Sequence, residues 1–340
     1  MTSIKAITLR RWVWVGVPVA VALTPQVLND YWLYTLSIVL VYGIGAIGYN
    51  VLLGNTGQVS LAPAAFFAIG AYSMTLMGRA GAPLIVGGVI GVLVSIAISL
   101  LLGLITLRLS GFYLALSTLS LATLVQQVAG SQVWLTGGWG GIPGPSITWF
   151  RSGYGKVVDD FYTIALAAFV VAVLTNNLLH SYFGRALATV KDAELAAGSS
   201  AIDPLRHRLM AFVISGMYAS VAGCFYTGLV GFIDPGQFGL SLTIAMVGMV
   251  VLGGLGSVTG SLIGAAFFVV APQLFHAAKS TQIIAFGVSI MVAIVLLPGG
   301  IVSLFDRRRL HFLRSPRKRG GSTPNGEGER SVPERVGGAT

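Results

Sequence analysis

Side chains able to do chemistry are few in this chain of 340 residues, and they gather in two places. The first is Gly54-Asn55-Thr56-Gly57-Gln58-Val59-Ser60, where amides and hydroxyls crowd together between long apolar runs. Such groups donate and accept hydrogen bonds without titrating near neutrality. The chemistry they offer is therefore recognition of a polar solute. The second place is the polar segment from Gly184 and Arg185 through Lys191, Asp192, Ala193, Glu194, Leu195, Ala196 and Ala197 to Pro204. A single acid within Ala-rich sequence favours a short helix with a thin face, a shape that fits a groove on a partner protein.

Catalytic sets are missing from the sequence. It contains no G-x-x-x-x-G-K-[ST] loop, no His/Glu metal-binding helix pattern and no plausible Ser-His-Asp constellation. The four histidines, His180, His207, His276 and His311, fall at the ends of apolar runs or in the C-terminal tail. Cys224 is the sole cysteine, so neither an internal disulfide nor a thiolate cluster can form. No Asp or Glu occurs between Tyr31 and Val158, or between Pro235 and Phe305. A proton-coupled carrier keeps an ionisable group inside the membrane despite a cost of roughly 2.5–3.5 kcal/mol on insertion scales. These absences point away from an enzyme, a cofactor or metal site and a proton-driven carrier. Energy for active transport would have to come from another polypeptide.

The elements that must hold these polar residues are apolar helices. Hydrophobic residues make up 55% of the chain, charged residues only 9%, and the mean hydropathy is +0.83. A water-exposed domain carries about 25% charged residues. Apolar segments recur near the roughly 20 residues needed to cross a bilayer core. They cover Trp12–Leu28, Tyr31–Leu53, Ala64–Gly78, Ala82–Leu107, Phe112–Val128, Phe161–His180, Leu209–Val230, Ser241–Leu252, Val258–Ala278 and Ile283–Leu297. The fold class expected is an all-α polytopic transmembrane bundle of about ten spans. It occupies residues 1–305 and is followed by a basic tail at 306–340, rich in Gly and Pro and expected to be disordered. Pro18 and Pro25 interrupt the first run and no small-residue cleavage site follows it, so it reads as a retained span.

Charge orients the bundle. The net charge of +10 is concentrated in clusters such as Arg307-Arg308-Arg309 and Arg317-Lys318-Arg319, which suit anionic lipid better than nucleic acid. With both termini cytoplasmic, every basic residue except Arg79, Arg151, Lys156 and Lys279 faces the cytoplasm, as the positive-inside rule requires. The segment at about 181–208 is then cytoplasmic. Gly57-Gln58 precedes the short third run, and Gly236-Gln237 precedes the short eighth, which crosses in the opposite direction. Two halves of roughly five spans each would thus form an inverted repeat, whose broken helices line a substrate path.

Glycine spacing within the runs, as in Gly43-x-Gly45-x-x-Gly48, Gly87-Gly88-x-x-Gly91 and Gly253-Gly254-x-Gly256-x-x-x-Gly260, reads as close helix packing. Residues Gly54 to Ser60 differ, because a helix must break there, and non-helical backbone at membrane depth survives only in a cavity or buried in protein. Asn55, Thr56, Gln58 and Ser60 are the candidate pore-lining residues.

Several stretches, in order, carry a family resemblance. They are Leu53-Gly54-Asn55-Thr56-Gly57-Gln58-Val59-Ser60-Leu61, Ala64-Ala65-Phe66-Phe67-Ala68-Ile69-Gly70-Ala71-Tyr72, Gly111-Phe112-Tyr113-Leu114-Ala115-Leu116-Ser117-Thr118-Leu119, Leu135-Thr136-Gly137-Gly138 and Val251-Leu252-Gly253-Gly254-Leu255-Gly256-Ser257-Val258-Thr259-Gly260. Together with the Gly184–Pro204 segment they resemble the M-type permease subunits, the LivM family, of branched-chain amino acid ABC importers. Ala62-Pro63 departs from the Gly-His or similar pair that the family often carries, and Gly198 and Ala201 depart in the loop. The resemblance implies a bacterial inner-membrane importer subunit that moves branched-chain amino acids or similar small polar solutes. It implies a second related permease, two cytoplasmic ATP-binding subunits and an extracytoplasmic solute-binding protein as partners. In that reading Gly184, Arg185, Glu194, Ala196 and Ala197 form the ATPase-coupling loop. The alternative is an ATP-independent facilitator or channel for urea-like solutes or amides, which would not need that loop.

Overall fold

The computed structural model describes residues 24–26, 28–106, 112–146, 155–192, 203–274, 287, 291, 300 and 301. Each apolar run expected between Tyr31 and Ala278 is helical where described. The helices are α1 (Asp30–Thr56), α2 (Pro63–Arg79), α3 (Leu84–Thr106), α4 (Phe112–Ser131), the single turn α5 (Val133–Thr136), α6 (Lys156–His180), α7 (Tyr182–Asp192), α8 (Pro204–Val230), α9 (Leu240–Gly253) and α10 (Val258–Leu274). Five of them, α1, α3, α4, α6 and α8, are long and apolar enough to cross a membrane. Apart from residues 24–26, 28, 287 and 291, the expected first and last spans lie outside the described residues, as does the tail at 306–340. One feature is not helical: β1 (Ile142–Pro143) pairs antiparallel with β2 (Phe232–Ile233), joining the connections that follow α4 and α8.

The glycines explain how apolar helices with no water to expel pack so tightly. Helix α1 runs through the middle, packed on α6, α8, α9 and α10. A methyl at Gly43 would strike Leu262 of α10, one at Gly45 would strike Met246 of α9, and one at Gly48 would strike Tyr218 of α8. Three glycines thus admit three different neighbours. On α3, small residues at every fourth position (Gly87, Gly91, Ser95, Ser99 and Gly103) make a continuous buried ridge. It lies against α2 and α8, where Gly87 meets Met74, and Ser99 Oγ sits over Gly216. Small residues let backbones approach and gain dispersion contact, which replaces the hydrophobic effect inside a bilayer. The spacing of Gly256 and Gly260 has a different use. Gly256 adopts φ +78° in the turn between α9 and α10, while Gly260 packs on Gly253.

Candidate functional site

Two helix breaks and the helix between them define the site. Helix α1 ends at Gly57, whose left-handed φ of 71° lets its N–H bond back to Leu53. The chain then turns back into the bundle instead of leaving it. Tyr49 Oη donates to the Ser60 carbonyl at 2.9 Å, holding Ser60 beside a residue two turns up α1, about 10 Å from its end. Pro63 opens α2 at a position where its missing N–H costs nothing. The resulting α2 has 17 residues, about 25 Å, and falls short of the roughly 30 Å hydrocarbon core. Residues 57–62 between the two helices are non-helical.

The second break is built like the first. Helix α8 ends at Gly231, with φ 73°. Residues 232–239 run through β2 and a 3-10 turn at Pro235–Phe238, and α9 then spans only 14 residues. Asp234 Oδ1 accepts the Gly236 N–H at 2.8 Å and caps the turn. Phe238 is fully buried against the rings of Phe67 and Tyr72 of α2 and Tyr226 of α8.

Helix α4 anchors both breaks. Thr118 Oγ1 accepts the Leu61 N–H at 2.8 Å, and two turns further on Gln126 Nε2 donates to the Pro235 carbonyl at 3.1 Å. The first break also touches α9, because Thr243 Oγ1 donates to the Leu61 carbonyl at 3.4 Å. Helices α3 and α4 are equally open, with 22% of the apolar window of each buried, against 72% for α1. Their exposed faces nevertheless differ, since α4 exposes Ser120, Thr123 and Gln127 among Phe112, Tyr113, Leu116, Leu124 and Val128. On α3 every exposed residue from Ile85 to Ile105 is Ile, Val, Leu or Ala, and Ser95 and Ser99 are turned inward. On α4 the centre of the exposed arc reads Leu116, Ser120, Thr123, Gln127, at spacings of four, three and four residues, which places them in one row. The Ser120 and Thr123 hydroxyls donate to carbonyls of their own helix, which leaves acceptor lone pairs facing outward.

The four residues expected from sequence to line a pore divide unequally. Thr56 is buried and its hydroxyl donates to Leu52 O at 2.6 Å. Ser60 is buried, and its Oγ accepts the Ala62 N–H at 3.2 Å. Asn55 is half-buried and donates to Asn50 O. These three spend their polar groups on shaping the break. Gln58 differs: it is half-buried, and its Oε1 is enclosed with no hydrogen-bond partner among the described residues. Gln237 Oε1, in the opposite break, is in the same condition.

Sequence reading missed Asn50. It is buried in α1, and its Nδ2 lies within hydrogen-bond distance of Ser261 Oγ (2.8 Å), Ser257 O (2.9 Å) and Gly254 O (3.3 Å). Its Oδ1 accepts the Gly256 N–H at 2.8 Å. One amide therefore satisfies most of the turn between α9 and α10. The available signal was an isolated Asn in an otherwise apolar run between Tyr31 and Gly54.

Of the expected coupling loop, Gly184 and Arg185 are described. Gly184 is buried where α7 folds back over the end of α6, with no room for a methyl beside the Leu179 carbonyl. Arg185 Nη1 donates to His180 O at 3.3 Å, covering a carbonyl at the end of α6. Helix α7 buries Ala186, Leu187 and Val190, and Lys191 Nζ donates to Gly54 O at 2.7 Å. Glu194, Ala196 and Ala197 lie outside the described residues.

Residues 31–297 match the family model of the branched-chain amino acid transport system permease component. The chain belongs to that family. The permease is 29% identical over 293 residues to the high-affinity branched-chain amino acid transport system permease protein LivM of Salmonella typhimurium, covering 79% of this chain and 69% of that protein. LivM of Escherichia coli matches to the same extent. The autoinducer 2 import system permease protein LsrC of an Enterobacter species is 36% identical over 105 residues, which are 29% of this chain and 30% of its own. The resemblance read from sequence thus stands: this is a LivM-type permease subunit of an ABC transport system and a multi-pass inner-membrane protein.

Proposed function

We propose that this permease forms one half of a solute path for branched-chain amino acids or similar small polar solutes, carried into the cytoplasm with energy from separate ATP-binding subunits. The second half is a related permease, and an extracytoplasmic binding protein delivers the solute. The observation that carries the reading is the row Ser120, Thr123 and Gln127 on the exposed face of α4. Polar side chains at mid-span avoid lipid and face a partner or a water-filled path. The wholly apolar α3 face belongs to lipid and the α4 row to the path, where hydroxyls and an amide replace part of the solute's hydration. Gln58 and Gln237, each with a carboxamide oxygen that has no partner among the described residues, lie in the two breaks that α4 anchors. Asn55, Thr56 and Ser60 contribute to the path by shaping the break.

The bundle has about ten spans with both termini cytoplasmic. An inverted repeat is supported by the parallel construction of the two breaks. Helices α1 and α8 both have 27 residues, end on a left-handed glycine and lead through non-helical chain into a short helix. The following helices, α3 and α10, each carry a Gly-x-x-x-Gly pair (Gly87 and Gly91, Gly260 and Gly264) that meets that short helix. The loop from Gly184 through Glu194, Ala196 and Ala197 docks on an ATP-binding subunit, and α7 passes its movement to the first break.

Single cysteines test the path in the assembled complex, on a background with Cys224 replaced by Ser. Positions 120, 123 and 127 should react with a membrane-impermeant thiosulfonate and be protected by transported solute, whereas positions 101 and 104 of α3 stay inert. Equal inertness of both sets would remove α4 from the path.

A further inference from the structure

A cavity of about 300 Å³ opens between α2, α3 and α8. Met74 stands at one side, Val221, Cys224 and Phe225 form the floor, and the backbone of Gly88 forms part of the wall. Every lining residue is apolar or, for Cys224, has its one hydrogen-bonding group directed elsewhere, since Sγ donates to Gly70 O at 3.3 Å. The mouth is edged by Ile85, Val89 and Leu93, spaced four apart and 60%, 51% and 58% exposed on the lipid-facing side of α3.

The two adjacent glycines at this place behave differently. A methyl at Gly87 would press on the Met74 backbone, whereas a methyl at Gly88 would meet nothing within 4 Å. Gly87 is therefore required by helix packing, and Gly88 leaves space that no described residue of this chain uses. Water cannot fill it, because a buried water needs two to four polar partners. A helix cannot fill it either, since a helix with its side chains is about 10–12 Å across. Left empty, the lining would forfeit the dispersion contacts that hold membrane helices together. The hydrocarbon of the bilayer matches the lining and is flexible enough to enter the mouth.

We propose that this cavity is a binding site for one acyl chain of a membrane phospholipid, wedged between α3 and α8 and roofed by Gly88. The chain enters past Val89 and lies over Val221 and Cys224, while the headgroup stays at the interface. This site is separate from the solute path, which the α4 face supplies.

The test uses the full permease complex in nanodiscs of phosphatidylcholine bearing a photoactivatable diazirine at mid-chain, with adducts mapped by peptide mass spectrometry. In the wild type, adducts should appear on the α8 segment Val221–Phe225 as well as on the outer face of α3 at Leu100–Leu104. Gly88→Phe, which places a ring in the slot, should lower the α8 adducts at least fivefold and leave those at Leu100–Leu104 unchanged. Gly88→Leu should give a smaller loss in the same direction. Absence of α8 adducts in the wild type would overturn the site, as would α8 adducts that persist undiminished in both variants. The wild-type arm stands even if a variant fails to assemble.

Discussion

Lys191 Nζ donates to the carbonyl oxygen of Gly54 across 2.7 Å, tying the last turn of α7 to the last turn of α1 just before the first helix break. This bond joins the segment that leads into the proposed coupling loop to the backbone beside the first break. A charge-assisted hydrogen bond is worth about 1.5–3 kcal/mol, toward the low end at a partly exposed site like this one. Lys191→Met should therefore lower solute uptake by reconstituted complex roughly tenfold, since about 1.4 kcal/mol is tenfold. ATPase copurification should stay at wild-type level, and Lys191→Arg should recover most of the uptake. Normal uptake by Lys191→Met would show that the bond is incidental.

Asn50 should behave as a structural residue. Replacing it by Leu leaves the Gly256 N–H without its partner, and an unsatisfied buried donor costs about 1–3 kcal/mol. The thermal midpoint of Asn50→Leu in detergent should fall clearly below wild type. A midpoint within error of wild type would mean that the turn at Gly254–Ser257 finds other partners.

The neighbouring glycines of α3 make a sharp pair. Gly88→Ala should be neutral or stabilising by up to about 1 kcal/mol, because Ala favours helix and meets nothing there. Gly87→Ala must push against the Met74 backbone and should destabilise by about 1–3 kcal/mol. Side-by-side thermal melts of the two variants read the difference, and equal behaviour would contradict the packing described.

For the coupling loop, Glu194→Ala should reduce uptake and ATPase stimulation by roughly tenfold if its carboxylate accepts hydrogen bonds from the ATP-binding subunit. Ala196→Trp should be worse, because a ring cannot enter a groove shaped for a methyl group, and less ATPase should copurify. If uptake, stimulation and copurification are all unchanged in both variants, the segment is only a connector and an ATP-independent facilitator becomes the better reading.

Topology can be read from two positions. Cysteines placed at Ser131, which is exposed at the end of α4, and at Ser322 in the tail should label from opposite sides of the membrane, with the tail cytoplasmic. Cys224 is buried and should stay silent under an impermeant reagent. Labelling of both positions from one side would exclude an arrangement of about ten spans.

The sequence alone determined the helical membrane class, because few charges and repeated apolar runs leave no other way to satisfy the backbone in lipid. It also expected a break within Gly54 to Ser60, although α1 continues through Thr56 and the non-helical residues are 57–62, and it carried the family resemblance in short ordered stretches. It marked Asn55, Thr56 and Ser60 as polar but could not say that their hydroxyl and amide groups are consumed by neighbouring backbone. The same limit applies to the two open helices. Ser95 and Ser99 of α3 and Ser120 and Thr123 of α4 are alike as letters in apolar runs, yet the first pair is buried against α8 and the second faces outward. Likewise Gly87 and Gly88 are adjacent and identical, but only one touches a neighbour. Periodicity shows which residues share a helix face. Which face meets protein depends on what packs against it, and tertiary structure alone supplied that.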